Sequence, residues 1–267
     1  MDLATAAAVM KVVSATVKTA NDFGWIDRLR RLFSTTHHVL LLGSSGTGKS
    51  QLLTALEDLL PEAISGYART QVRENREVMI SSKFFNFIDT PGHGGPPGHL
   101  HDEGGATQAR RAAIKEAFGK PLAAVINVVS YGYHEAKPPA PAEAFDADRN
   151  ISESFLEINR AREIKAMEEW VGMFGHPHAP TRLITVVTKA DLWWSRRAEV
   201  LGHYSKNSYF KSLGPAKNIA HVIVESSSVF HKFYGEGALD GSFDQEQRAE
   251  LRGELLRQLL LLQPPQA

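Results

Sequence analysis

The chain has 267 residues, 43% of them hydrophobic and 22% charged, which is enough for one large buried core or two small ones. Its 30 basic and 30 acidic residues cancel, so the sequence gives no strong signal for nucleic acid or an anionic membrane, although this balance still permits local patches. The sequence has no cysteine, which excludes disulfides, thiolate zinc sites and cysteine nucleophiles and fits a reducing compartment.

The first residues are small and apolar, as in a secretory signal, but they do not follow its pattern. Asp2 stands where a signal needs a basic segment, and Lys11 interrupts the apolar run. No stretch reaches the roughly 18 apolar residues that a membrane-spanning helix requires. We therefore expect a cytoplasmic protein without a transmembrane segment.

Residues 1–20 favour an amphipathic helix. Its apolar residues recur at alternating spacings of three and four, and they are Leu3, Ala6, Met10, Val13, Val17 and Ala20. This stripe packs on the helix's own domain in one interpretation, and docks on a partner or a second copy in another. With a second helix near 25–33, it predicts a helical extension over 1–35 that precedes a domain over 36–267.

Predicted strands and helices alternate along the rest of the chain. Strands are predicted at 37–43, about 66–73, about 77–88, 122–130, 182–188 and 220–225. Helices are predicted at 50–62 and at roughly 104–117, 151–173, 192–201 and 244–262. Such alternation is typical of a mainly parallel α/β sheet with helices on both faces.

A glycine-rich segment with one lysine lies between the first predicted strand and helix. It matches the pattern G-x-x-x-x-G-K-[ST] and consists of Gly43, Ser44, Ser45, Gly46, Thr47, Gly48, Lys49 and Ser50. Glycines let the backbone N–H groups and the helix N-terminus surround a phosphate. Lys49 would then reach the β- and γ-phosphates, and the Ser50 hydroxyl would bind Mg²⁺. The competing interpretation is a Gly/Ser turn with a chance lysine.

Two later strands also end in polar residues. Asp89 follows the run FFNFI, where a carboxylate can accept hydrogen bonds from the water ligands of Mg²⁺, and Gly92 would offer its N–H to a γ-phosphate. Asp191 ends the segment VVTKAD. Its carboxylate can accept from N1–H and the exocyclic amine of guanine, a pair of donors that adenine lacks.

These segments, taken in order, resemble the TRAFAC-class P-loop GTPases over about 37–230. The resemblance implies a three-layer α-β-α G domain that binds GTP or GDP with Mg²⁺. In it Gly43–Ser50 correspond to the phosphate loop, Asp89–Gly92 to the start of switch II, and Thr188, Lys189 and Asp191 to the guanine motif, with Thr188 replacing the usual Asn. Ser226 and Ser227 are similar to the base-contacting loop, although its Ala and Lys are missing.

The resemblance also suggests two switch residues. Thr70 lies nineteen positions before Asp89, which suits the threonine that binds Mg²⁺ and senses the γ-phosphate; alternatively it is an ordinary strand residue. His93 follows Gly92 and is our candidate for orienting the attacking water, together with Lys49 and Thr70 in catalysis. In the alternative, His93 is only a switch residue, and hydrolysis is slow or needs an activator's arginine.

Three further segments have open interpretations. The histidines and aspartate at 99–102 bind a metal or are a solvated cluster. The long interval around 131–173 contains a proline-rich excursion, expected to be exposed, and a helix with a predicted apolar stripe. It is either a lengthened connecting helix or a partner surface. The leucine-rich end of the chain is a core helix or buries a second face in a dimer.

We therefore expect a GTP-hydrolysing switch. The alternative is a GTP-dependent self-assembly module, and an ATPase or P-loop kinase is a weaker possibility. Beyond the guanine nucleotide, the partner is unknown, and self-association remains open.

Overall fold

Six strands in the described part of the chain form one sheet. In the computed structural model the described residues are 36–56, 74–80, 83–90, 103–135, 140–175, 179–214, 219–227, 233–234 and 239–263. The strands are β1 (Thr36–Gly43), β2 (Glu74–Ile80), β3 (Lys83–Asp89), β4 (Ala124–Val129), β5 (Arg182–Val187) and β6 (Ala220–Glu225). Their order across the sheet is β2-β3-β1-β4-β5-β6. The pairs β1·β4, β4·β5 and β5·β6 are parallel, whereas β2 runs antiparallel to β3.

Helices cover both faces of this sheet. They are α1 (Lys49–Leu56), α2 (Glu103–Phe118), α3 (Glu153–Val171), α4 (Arg197–Lys206), α5 (Ser208–Ser212) and α6 (Gln245–Leu260). Side chains of β1 alternate between the faces: Leu40 and Leu42 pack with α2, α3 and α4, while Val39 and Leu41 pack with α1 and α6. The central strands β4 and β5 are buried on both sides, which explains their continuous apolar runs. The predicted three-layer α/β fold is therefore confirmed.

The region predicted as one strand over 77–88 is a hairpin, so this prediction was wrong. β2 and β3 pair antiparallel, and Ile80 lies opposite Lys83, so the chain reverses between these residues. The sequence offers only Ser81 and Ser82 there, without the Gly, Asn or Asp that usually marks such a turn. The strand predicted near 66–73 and the N-terminal helices lie outside the described residues.

The helix predicted at 192–201 begins later than expected. Short 3₁₀ turns occupy Ala190–Leu192 and Trp194–Arg196, and α4 starts at Arg197. Between the turns, Trp193 is fully buried, and its indole N–H donates to the Thr188 carbonyl oxygen at 2.8 Å. This anchoring of the indole accounts for the irregular turns before α4.

The predicted apolar stripe of the long helix was right in part, because Ile151, Phe155 and Ile164 pack against the core. Of its members Ile151, Phe155, Ile158, Ala161 and Ile164, Ile158 is 56% exposed. The buried face of α3 carries Leu156, Met167 and Trp170 and, in addition, the polar residues Asn159 and Glu163. A search for apolar periodicity cannot find a face that contains buried polar groups.

Part of the proline-rich excursion is packed rather than exposed. Ala144 is fully buried. Phe145 forms an isolated antiparallel bridge with Ile151, and its ring lies 6.5 Å from that of Tyr234. These contacts hold the segment before α3 against the core.

The C-terminal helix is a core helix. Asp244 caps its N-terminus through a capping box with Gln247. Leu251, Leu255 and Leu259 are buried, whereas Leu261, which directly follows the helix, is 47% exposed. The leucine-rich sequence is thus largely accounted for by packing within the chain.

Candidate functional site

The phosphate-loop segment joins β1 to α1 through three glycines with positive φ. Gly43, Gly46 and Gly48 have φ of 142°, 81° and 91°. A Cβ atom on Gly46 would lie 2.3 Å from the carbonyl oxygen of Glu135 and 2.9 Å from its nitrogen. Glycine is therefore required here by both conformation and space.

Lys49 is a buried cation within this segment. Its Nζ donates to the carbonyl oxygens of Gly43 at 3.2 Å and Ser44 at 3.1 Å. Burial lowers the pKa of Lys49 to about 8, although the negative charge of Asp89 opposes this shift. Because the two carbonyl oxygens carry no net charge, an anion placed beside Nζ would stabilise the ammonium group.

Asp89 lies at the carboxyl end of β3 and is fully buried. The next residue, Thr90, donates through its hydroxyl to the Leu41 carbonyl oxygen at 2.8 Å, which ties the end of β3 to β1. Ser50, in the first turn of α1, supplies a hydroxyl group. A hydroxyl and a carboxylate are oxygen ligands of the kind that Mg²⁺ prefers, so these residues fit that ion.

The segment after β5 is hydrogen-bonded to the phosphate loop. The Thr188 hydroxyl lies 2.7 Å from the Thr47 carbonyl oxygen and 3.0 Å from that of Val129. Lys189, in the left-handed conformation with φ of 61°, donates through Nζ to the Gly46 carbonyl oxygen at 2.8 Å. The base-reading and phosphate-binding candidates therefore form one connected unit.

Asp191 is buried beside the residues that follow β6. Its Oδ1 accepts a hydrogen bond from the Ser227 hydroxyl at 2.6 Å. Burial raises the pKa of Asp191, and the bond from Ser227 opposes that shift. The Ser226 carbonyl oxygen accepts from the Ala190 N–H at 3.1 Å, which fixes the two segments side by side.

Most of the candidate site residues converge on one edge of the sheet. The phosphate loop, Asp89, the segment 188–191 and residues 226–227 follow β1, β3, β5 and β6 at their carboxyl ends. Ligands of parallel α/β sheets bind at this edge. The predicted residues Thr70, Gly92 and His93 lie outside the described residues, as do the histidines at 99, 101, 176 and 178.

The loop at 130–135, which follows β4 at the same edge, was not predicted as part of the site. The Glu135 N–H donates to the Gly46 carbonyl oxygen at 3.0 Å. The Glu135 carboxylate lies 3.2 Å from Lys189 Nζ, which also donates to the Tyr133 carbonyl oxygen. The signal was available, because polar residues follow a buried strand here as they do at Asp89.

Comparison with known proteins agrees with this arrangement. The family model described as "50S ribosome-binding GTPase" matches residues 38–167, which include the phosphate loop and Asp89. This match covers just under half of the chain, and over that part the chain is similar to this family of GTPases. No curated protein matches the sequence.

Several solved structures are similar at low identity. Era, in complex with MgGDPNP and part of 16S ribosomal RNA, is 16% identical with a TM-score of 0.45, and the match covers 88% of this chain and 59% of Era. SelB from Methanococcus maripaludis, in complex with the GTP analogue GppNHp, is 13% identical with a TM-score of 0.44, and the match covers 86% of this chain and 35% of SelB. The FeoB G-domain from Methanococcus jannaschii is 17% identical with a TM-score of 0.38, and the match covers 73% of this chain and 87% of that domain. The chain thus spans about three fifths of Era and a third of SelB.

None of the helices described is long and apolar enough to cross a membrane. Nor do three or more His, Asp or Glu side chains of the described ranges cluster as a metal site.

Proposed function

We propose that the protein binds GTP with Mg²⁺ at the carboxyl edge of its sheet and hydrolyses it to GDP and phosphate, so that the bound nucleotide sets the state of a switch. The contact between the guanine-motif candidates and the phosphate loop carries this proposal. Thr188 and Lys189 hydrogen-bond to the carbonyl oxygens of Thr47 and Gly46. A ligand that spans both segments needs a base at one end and phosphates at the other.

Each end of the site has the charge that its part of the ligand requires. Lys49 places a buried ammonium group beside backbone carbonyls, where it would bind the β- and γ-phosphates. Asp191 presents a buried carboxylate, which would accept from N1–H and the amine of guanine. Adenine offers no such pair of donors, so this carboxylate supports selectivity for GTP.

Hydrolysis needs charge stabilisation and an oriented water molecule. Lys49 would neutralise charge that develops on the γ-phosphoryl group, and Ser50 and Asp89 would hold Mg²⁺ directly or through water. The ion, when bound, supplies further positive charge at the phosphates. We assign water orientation to His93 and γ-phosphate sensing to Thr70, both as proposals from the sequence resemblance.

The remaining assignments are also proposals. We propose that residues 1–35 are a helical extension of a G domain over 36–267, which has an insert around 131–173. A cytoplasmic location is proposed because a chain without cysteine fits a reducing compartment.

The test is equilibrium binding of fluorescent GTP and GDP, with ATP as competitor, together with phosphate release. Lys49→Ala is expected to weaken binding by about 100-fold, because a buried charged contact to phosphate is lost. Asp191→Ala should weaken guanine binding without improving ATP. Lys120→Ala and Asp148→Ala, at exposed positions, are the matched controls. Wild-type protein that does not bind guanine nucleotides, or that binds ATP as tightly as GTP, would contradict the proposal.

A further inference from the structure

Glu163 of α3 holds a fully buried carboxylate surrounded by hydrogen-bond donors. Its Oε1 accepts from the Ser130 N–H at 2.8 Å and the Gly132 N–H at 3.3 Å, and lies 3.1 Å from His134 Nε2. Its Oε2 accepts from the Tyr204 hydroxyl at 2.7 Å. These donors satisfy the carboxylate where water does not reach it.

The donors keep this carboxylate ionised. Burial alone would raise the pKa of Glu163, but the hydrogen bonds from His134, the Ser130 N–H and Tyr204 outweigh burial and lower it. Burial lowers the pKa of His134, although Glu163 opposes that shift. A negative charge accepting hydrogen bonds from several fixed donors makes a strong attachment point.

The backbone that Glu163 holds is the loop at 130–135. Gly132 has φ of 85°, and a Cβ atom there would lie 2.2 Å from the Leu156 carbonyl oxygen, so the loop lies directly against α3. Asn159 also donates to the Gly132 carbonyl oxygen at 3.0 Å. The Tyr131 N–H donates to the Tyr204 hydroxyl at 2.8 Å. The loop is thus fixed by α3 and α4 together.

The far end of the same loop touches the candidate nucleotide site. The Glu135 N–H donates to the Gly46 carbonyl oxygen at 3.0 Å, and the Glu135 carboxylate lies 3.2 Å from Lys189 Nζ. Lys189 donates in addition to the Tyr133 carbonyl oxygen. Both partners, Gly46 and Lys189, belong to the segments proposed above to bind phosphate and base.

We propose that Glu163 is a positioning residue for nucleotide binding, acting through the loop at 130–135 on Gly46 and Lys189. The carboxylate does not touch the nucleotide. It fixes the loop, the loop sets the orientation of Gly46 and the Lys189 ammonium group, and these in turn retain the nucleotide. The inference rests on the proposed function. By fixing the loop, Glu163 slows the release of GDP and GTP and leaves the rate of the hydrolysis step unchanged.

Two variants and a matched control test this inference. Glu163→Gln removes the charge. Tyr204→Phe leaves the carboxylate in place but removes one of its donors and the acceptor of the Tyr131 N–H. Tyr209→Phe is the control, because Tyr209 is as buried as Tyr204 and its hydroxyl bonds to Asn127 at 2.6 Å and Thr185 at 3.0 Å, away from the loop. Each protein is examined for release of fluorescent GDP and GTP, single-turnover hydrolysis and urea unfolding.

We expect Glu163→Gln and Tyr204→Phe to release both nucleotides about tenfold faster, with an unchanged single-turnover rate. Tyr209→Phe should leave release within about twofold of wild type, even where it destabilises the fold as much as Tyr204→Phe. If Glu163→Gln fails to fold, Tyr204→Phe still decides the question. Wild-type release rates in Tyr204→Phe would overturn the inference alone, whereas a wild type that binds no guanine nucleotide would overturn the proposed function as well.

Discussion

The Thr188 hydroxyl lies 2.7 Å from the carbonyl oxygen of Thr47, and this contact joins the segment after β5 to the phosphate loop. The same hydroxyl is 3.0 Å from the Val129 carbonyl oxygen at the end of β4. The hydroxyl has one hydrogen to donate, and the shorter distance favours Thr47, while the Val129 carbonyl oxygen also accepts from the Thr188 N–H at 2.8 Å. An asparagine amide, usual in the resembling GTPases, could donate to such carbonyl oxygens, and a threonine hydroxyl does so here.

Replacing Thr188 tests whether this junction matters for the ligand. Thr188→Val keeps the shape of the side chain and removes the donor, leaving buried carbonyl oxygens without this partner. We expect a loss of about 1 to 2 kcal/mol in the free energy of unfolding and about tenfold weaker GDP binding. Urea unfolding and fluorescent GDP titration measure the two effects. Thr188→Ser retains the hydroxyl and should stay near wild type, and equal losses in both variants would refute the role of the hydroxyl.

Two glycines of the phosphate loop allow a matched comparison of backbone strain and steric clash. Gly46→Ala and Gly48→Ala both place a side chain at positive φ, but the nearest atom to a Cβ on Gly48 is a Gln51 side-chain oxygen 3.7 Å away. On Gly46 the neighbours are backbone atoms of Glu135, which cannot move aside. We expect Gly48→Ala to lower the free energy of unfolding by about 1 kcal/mol and Gly46→Ala to lower it by about 3 kcal/mol or more.

This comparison uses urea unfolding without nucleotide, since both residues belong to the proposed phosphate site. Equal destabilisation by the two alanines would show that the loop at 130–135 does not press on Gly46 as the structure indicates. The m-values should match wild type, so that the midpoints report stability and not a change in the denatured state.

The sheet and the phosphate loop were predictable because their signals are local. Gly43, Lys49 and Ser50 lie within eight consecutive residues, and a strand and a helix flank them. Asp89 and Asp191 could be placed near the loop because parallel strands of one sheet share an edge for their carboxyl ends. Position at a strand end, rather than residue type, carried the prediction.

Glu163 could not be found in this way. It lies in a helix with many charged residues, where a glutamate usually faces solvent. Its partner Ser130 is 33 positions away, and only the packing of α3 on the loop at 130–135 shows the connection. The hairpin of β2 and β3 was missed for a different reason, because Ser81 and Ser82 lack the usual turn residues.

A histidine at the edge of the sheet predicts sensitivity to acid. Burial lowers the pKa of His221 to about 4, against an ordinary value of about 6.5, and its Nε2 lies 2.9 Å from the Thr185 hydroxyl. The protonated ring is therefore disfavoured in the folded state. Its contribution to stability is intact above pH 6.5 and is lost as the pH falls from about 6.5 to 4.

His221→Gln should remove this part of the acid sensitivity. Between pH 7.5 and 4.5 we expect the wild type to lose more stability than the variant, by on the order of 1 to 2 kcal/mol after allowance for partial exposure of the ring. Urea unfolding at several pH values measures this difference, and each protein serves as its own reference at pH 7.5. Parallel pH profiles would show that His221 does not titrate as stated.

Asp191 offers the most direct measurement of the central claim, which is that guanine is read at this carboxylate. Xanthine carries a carbonyl oxygen where guanine carries its amine, so an amide at position 191 can donate to xanthine where a carboxylate cannot. The measurement is the affinity of wild type and Asp191→Asn for GTP and for xanthosine triphosphate. We predict that wild type prefers GTP by about 100-fold or more and that Asp191→Asn reverses the preference. Unchanged preference for GTP in Asp191→Asn would contradict the account.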